Sequence, residues 1–343
     1  MSILAIETSC DDTCAAVLDK AGVLRSNVIS SQRVHEAFGG VVPEIASRHH
    51  LELINAIVAR ALEEADTTLD EVELVAATRG PGLVGALLVG LSTAKGLAAA
   101  RELPFAAVDH LQGHVAANFL DTNGTPPTPG FEPPFLCLIA SGGHTLLAQV
   151  REHNGFEVLG RTLDDAAGEA FDKGARMLGL GFPGGPALEK LAKDGDPEAY
   201  EFPARGGRGP RRNAFADSLD FSFAGLKTAL LYKLRDLDPP ELERRGPDLA
   251  ASFQNAIIEA LLGRIRRGLE LTGSERLAVG GGVAANGELR RRLGELDVEL
   301  HIPDRSLCTD NAAMIASAAR FGPTLRYPEY LNIDAYATGE APA

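Results

Sequence analysis

The chain has 343 residues, 45% of them hydrophobic and 23% charged, and a formal net charge of −14. That length and balance suit one large or two medium globular domains. The acidic excess disfavours a nucleic-acid partner unless Lys and Arg gather locally. Cys10, Cys14, Cys137 and Cys308 form no CxxC pair, which excludes a disulfide framework and a thiolate zinc site. The opening MSILAIETSCDD lacks the pattern of a signal peptide, and no run of about 18 apolar residues occurs, so the expected setting is cytoplasmic with no membrane span.

In chain order, SILAIET (2–8) reads as a buried strand, SCDD as a turn and TCAAVLD (13–19) as the returning strand, with AGVL continuing past a second turn. A long amphipathic helix follows over 39–65, then a mostly apolar helix over 84–102 and a short strand over 104–109. The Pro-, Gly- and Thr-rich stretch 121–134 reads as the loop between two halves. PFLCLIA (134–140), SGGH and TLLAQV (145–150) then repeat the strand, turn, strand pattern of the N-terminus. Helices are expected over 164–180, 247–273 and 286–296, a strand over 275–282 and a strand-like VELHIP over 298–303. An internal repeat of this kind predicts an α/β protein of two related domains with a cleft between them. The divisions are an N-terminal domain (1–125), a C-terminal domain (133–325, its last helix crossing back) and a tail (326–343).

Gly has 37 occurrences, many in clusters at the ends of apolar runs. SGGHT (141–145) and GGGVAANGEL (280–289) each end a strand, and FPGGPALEK (182–190) adds a third turn. Glycine lets a backbone approach a phosphate closely, and the helix opened by the second turn favours an anion at its start. An ordinary tight turn explains any one of them; three together favour nucleotide binding. GxxxxGK[ST] is absent, so none is a Walker A loop.

VDHLQGHVAAN (108–118) places His110 and His114 four apart, on one face of a helix that Asp109 can cap. Two partly buried histidines bonded to backbone would satisfy the spacing, and so would two metal ligands. A peptidase of the HExxH type is disfavoured, because Leu111 stands where the glutamate base belongs. Two histidines with one carboxylate would suit Fe(II) or Zn(II). Asp310, in SLCTDNAAMIA (306–316), is one such carboxylate, or else the N-cap of the helix that follows. Asp164, Asp165, Glu169 and Asp172 crowd another segment, either as a solvated helix start or for hydroxyl or ammonium recognition. PARGGRGPRRN (203–213) carries Arg205, Arg208, Arg211 and Arg212, a basic loop open to a phosphate-backbone contact or to solvent alone.

ETSCDDT, VPEIASRHH, HLQGH, SGGHTLL, DDAAGEAFDKGARMLGL, FPGGP, FSFAGLK, GGGVAANGELR and CTDNAAMIA occur in this order in one chain. Together, from about residue 2 to residue 320, they closely resemble the TsaD family of tRNA N6-adenosine threonylcarbamoyltransferases. The resemblance implies the actin-like, sugar-kinase-like (ASKHA) ATPase fold. It implies a metal held by His110, His114 and Asp310, Fe(II) before Zn(II), and a nucleotide ligand, threonylcarbamoyl-AMP or an ATP- or AMP-like molecule. Ligand contacts are implied for Ile139, Ala140, Ser141, Gly142, Gly143, Asp172, Gly185, Glu189 and Asn286. Glu189 stands where relatives often carry Asp, Asp12 where they often carry Glu, and Gln112 where Glu is frequent. Asp11 and Asp12 are the candidates for the catalytic base. The implied partners are tRNA, a TsaB-like paralogue that could pair through the 39–65 helix, and a small TsaE-like ATPase, with a TsaC-type synthase supplying the adenylate. An ATPase or sugar kinase of the same fold is the enzymatic alternative, a metallopeptidase the second, and a nucleotide-sensing scaffold the non-enzymatic one.

Overall fold

The computed structural model describes residues 2–120, 131–203, 218–235 and 237–337. They separate into two compact units, one of 1–133, 152–155 and 303–343, the other of 134–151 and 156–302.

In the first unit, β1 (Ile3–Glu7), β2 (Asp12–Leu18), β3 (Leu24–Ser31), β4 (Leu74–Gly80) and β5 (Phe105–Asp109) form one sheet of order β3-β2-β1-β4-β5. β1 to β3 run antiparallel; β4 and β5 are parallel to β1. β1 is buried at every position, as its unbroken apolar run suggests, and it carries Glu7 into the interior. Helices α1 (Pro43–Glu64) and α2 (Val84–Ala100) bury Ile54, Ile57, Val58, Leu91 and Ala94 with Leu4, Ile6 and Val75 of the sheet. α1 starts at Pro43 rather than at Gly39, because a proline suits the first helical turn and two glycines do not. The short α3 (His110–Ala116) leaves β5 directly.

The second unit repeats the plan. β6 (Phe135–Ala140), β7 (Thr145–Glu152), β8 (Gly155–Arg161), β9 (Arg276–Gly280) and β10 (Glu299–His301) form a sheet of order β10-β9-β6-β7-β8. β6 pairs antiparallel with β7 and parallel with β9, as β1 does with β2 and β4. Its helices are α4 (Ala167–Met177), α5 (Gly184–Ala192), α6 (Ala224–Leu234), α7 (Pro239–Thr272) and α8 (Gly287–Leu293). α7 begins eight residues before Pro247, where the sequence pattern places its start, with Asp238 capping and Pro239 in the first turn. Pro247 lies inside it and removes one N–H from the ladder without ending it. After β10 the chain rejoins the first unit, where every residue of α9 (Ala312–Ala319) is buried. No helix of the described residues is long and apolar enough to cross a membrane.

Candidate functional site

In the first unit, Asp109 caps α3 as its sequence predicts, its Oδ1 accepting from the Leu111 and Gln112 N–H groups at 2.8 and 3.0 Å. The cap fixes the first turn, and the i,i+4 spacing brings the rings of His110 and His114 to a centroid distance of 4.7 Å. Asp310 does not cap α9. Asn311 does so, its Oδ1 accepting from the Met314 N–H at 3.0 Å. The Asp310 carboxylate instead lies 3.7 Å from His110 Nε2 and 3.4 Å from His114 Nε2. One donor atom from each of the three residues falls within 4.8 Å of the others. Both ring nitrogens of the fully buried His114 lack a hydrogen-bond partner. Buried polar atoms are rarely left so, and two histidines with one carboxylate are a fitting donor set for a divalent metal.

Behind His110 stands Glu7, which the sequence reading passed over. His110 Nδ1 lies 3.2 Å from Glu7 Oε2 and 3.1 Å from Ser9 Oγ. Glu7 also accepts from Thr78 Oγ1 and the Ser9 N–H. A carboxylate at Nδ1 favours the Nδ1–H tautomer, in which Nε2 is the ligating nitrogen. Burial alone would lower the His110 pKa, but the charges of Asp310 and Glu7 outweigh it and raise it to about 9. Burial would likewise raise Glu7, and the adjacent His110 reverses this, holding the carboxyl below its usual range. The signal for Glu7 was a lone acid in an otherwise apolar strand.

Asp12 opens β2 with its Oδ1 buried and unpartnered. Burial, against a hydrogen bond from Ser31 and with the charges of Asp310, Asp11 and Glu7, raises it to about 7. Asp11 precedes it, its carbonyl accepting from the Gln32 N–H at 3.1 Å. His50, of the VPEIASRHH stretch, donates from Nε2 to the Cys10 carbonyl at 3.0 Å. Its Nδ1 then accepts from Thr13 Oγ1 at 2.8 Å, so a neutral imidazole holds this loop. None of the four cysteines forms a disulfide.

In the second unit the glycine turns meet. A Cβ on Gly281 would lie 2.3 Å from the Ala140 carbonyl oxygen, one on Gly168 2.5 Å from that of Ser141, and one on Gly184 2.6 Å from Asp172 Cα. These glycines allow backbone to pack on backbone. Gly142, Gly143 and Gly185 differ, since a Cβ on any of them would meet nothing within 4 Å. Ile139 and Ala140 are fully buried at the end of β6. Asp172 Oδ1 accepts from the Gly184 N–H at 2.8 Å, and Glu189 Oε1 from the Gly287 N–H at 3.0 Å. Asn286 caps α8 through the Leu289 N–H at 2.9 Å and donates from Nδ2 to Gln254 Oε1 at 2.9 Å. The acidic segment resolves differently. Asp164 accepts from Ser222 Oγ and the Phe223 N–H, and Asp165 pairs with Lys173 at 2.8 Å. Arg205, Arg208, Arg211 and Arg212 lie outside the described residues.

The likeness to solved structures is one of fold. T. kodakarensis HypF matches with a TM-score of 0.61 at 14% identity, over 94% of this chain and 48% of that one. Component A of the Acidaminococcus fermentans (R)-2-hydroxyglutaryl-CoA dehydratase matches with a TM-score of 0.53 at 15% identity, over 92% of this chain and 96% of that one. Both agree with the two-domain ASKHA architecture that the motifs imply. In sequence, the tRNA N6-adenosine threonylcarbamoyltransferase of Clostridium perfringens is 49% identical over 324 residues, 93% of this chain and 92% of the relative. That of Clostridium botulinum is 48% identical over 326 residues, 94% of this chain and 92% of the relative. The profile of the TsaD family, described as tRNA N6-adenosine threonylcarbamoyltransferase, matches residues 22–317, a span that takes in the histidine pair, the glycine turns and Asp310 alike. With near-half identity over almost the whole length beside that match, the chain belongs to the TsaD family of transferases.

Proposed function

We propose that the chain transfers the threonylcarbamoyl group from threonylcarbamoyl-AMP to N6 of adenosine 37, in tRNAs reading codons that begin with A, releasing AMP. Family membership supports the reaction, and the His114 ring nitrogens, buried without a hydrogen bond beside His110 and Asp310, support a metal at this site. His110 Nε2, His114 and Asp310 would hold an Fe(II) or Zn(II), which when bound supplies a Lewis acid for the donor. Glu7 keeps the His110 tautomer fit for that task. The open backbone at Gly142, Gly143 and Gly185 offers N–H groups to the adenylate, Ser141 closes that turn through its N–H to the His144 carbonyl, and Asp172 and Glu189 order the neighbouring turns by accepting from Gly184 and Gly287. Ile139 and Ala140 contribute by holding that turn, since their side chains are buried.

Chemically, N6 attacks the carbamoyl carbon, the bond to the phosphate oxygen breaks, and N6 loses a proton. The amine is a weak nucleophile, so positioning carries much of the rate. Asp12, raised to about 7, has the proton affinity a base needs at neutral pH, and Asp11 beside it is the second candidate. Arg205, Arg208, Arg211 and Arg212 are assigned to the tRNA backbone, so that charge reversal at Arg211 and Arg212 weakens tRNA binding and spares the nucleotide. A TsaB-like paralogue and a TsaE-like ATPase are the proposed partners.

The test is depletion of this chain in its host, digestion of bulk tRNA to nucleosides, and mass-spectrometric quantification of threonylcarbamoyladenosine. Rescue by wild type and not by His110→Ala is expected. An unchanged nucleoside level, with no second copy of the gene, rejects the reading and favours an ATPase or kinase of the same fold.

A further inference from the structure

The tail after α9 runs back along β5. Leu325 and Phe105 exchange both backbone hydrogen bonds at 2.8 and 2.9 Å. Tyr330 is fully buried with its ring 5.4 Å from that of Phe105. Lys95 Nζ donates to the Ile333 carbonyl at 2.8 Å, and Arg79 Nε to that of Asp334 at 2.9 Å. This strap ends at Tyr336, whose hydroxyl lies 2.5 Å from Asp109 Oδ2 and 2.9 Å from the Gly80 carbonyl. A hydroxyl has one proton to give, and the nearer, charged carboxylate is the stronger acceptor. Room for the tyrosine exists because residue 80 is glycine: a Cβ there would lie 2.9 Å from the Tyr336 ring.

Asp109 is therefore held at both oxygens, Oδ1 by the first turn of α3 and Oδ2 by the tail. α3 has seven residues, too few to be stable on its own, so its cap decides its start and rotation. His110 follows the cap directly and His114 sits one turn on. We infer that Tyr336 is a positioning residue for the metal: by fixing the Asp109 carboxylate, its hydroxyl fixes the direction in which α3 presents the two histidines. The inference rests on the reading of His110, His114 and Asp310 as metal ligands.

Tyr336→Phe removes the hydroxyl and keeps the ring against Gly80. The full-length protein, freed of metal, is titrated with Co(II); affinity is read by competition with a chelator and ligand geometry by the visible d–d bands. Tyr336→Phe is expected to bind Co(II) roughly 3- to 10-fold more weakly with altered bands, the scale of a weakened cap or outer-sphere partner. Lys95→Ala, which loosens the same strap away from Asp109, should lower the thermal midpoint and keep Co(II) affinity within about twofold, as separated sites do. Wild-type affinity and spectrum in Tyr336→Phe, or an equal loss in Lys95→Ala, would overturn the role and leave the tyrosine a tail anchor. A wild-type protein that binds no Co(II) would instead overturn the metal reading, and the inference with it.

Discussion

Glu7 and His110 meet in the interior of the first unit, carboxylate Oε2 to imidazole Nδ1 at 3.2 Å, both side chains almost wholly buried. The pair sets which ring nitrogen carries the proton. Glu7→Gln keeps the shape but weakens that orientation and the basicity of Nε2. Metal affinity is expected to fall about 10- to 100-fold, the usual range for a carboxylate behind a histidine ligand. Competition titration against a chelator measures it.

The metal-free protein should show a pH signature. His110 titrates near its ordinary 6.5 in the unfolded chain and at about 9 in the folded one. Its raised pKa contributes stability that is fully present below 6.5 and is lost as pH rises through about 9. Urea unfolding from pH 6 to 10 should show this decline in wild type and not in His110→Gln. Metal uptake must displace the same proton, so calorimetry at neutral pH in buffers of different ionisation enthalpy should detect proton release.

Asp12 behaves in the opposite sense. Its folded pKa of about 7 lies above the unfolded 3.8, so the unfolded chain ionises first and stability falls as pH rises between them. Asp12→Asn should therefore be more stable than wild type at pH 8, by up to about 4 kcal/mol, and no more stable near pH 3. If Asp12 takes the N6 proton, the same variant loses on the order of a hundredfold in transfer rate. A single-turnover assay with tRNA and threonylcarbamoyl-AMP reads the second effect.

Two glycines separate folding from binding. Gly281 has φ +88°, and its Cβ would strike the Ala140 backbone, so Gly281→Ala should cost roughly 2–4 kcal/mol in chemical denaturation. Gly142 faces open space. Gly142→Ala should stay within about 1 kcal/mol of wild type yet raise the KM for threonylcarbamoyl-AMP, because the methyl occupies room reserved for the ligand. An unchanged KM would remove this turn from the adenylate site.

Much of this was legible from residues alone, and the reasons are physical. The strand, turn, strand repeat identified both sheets because buried strands read as unbroken apolar runs. HLQGH identified the histidine pair because helical spacing is local. β8 escaped, since its mixed exposure leaves no run or clean alternation, and so did α6. The choice between cap and ligand at Asp310 could not be made from sequence, because Asn311 beside it caps equally well. Glu7 and Tyr336 act over more than 100 and 200 residues of separation, respectively, and no local pattern encodes such contacts. The strap from Leu325 to Tyr336 carried no motif, and only its pairing with Phe105 gives it meaning.

The discontinuity of the first unit has a consequence for biosynthesis. Its sheet is complete by Asp109, but α9, buried throughout against β1, β2 and α3, comes only after β10 in the chain. The second unit, 134–151 and 156–302, has all its strands before then. On a vectorial path the second unit can close first, while the N-terminal one waits for Asp310 and for the strap that holds the α3 cap. The three-donor set of His110, His114 and Asp310 therefore cannot assemble until the segment after β10 has been made, and a product cut off before Asp310 lacks it.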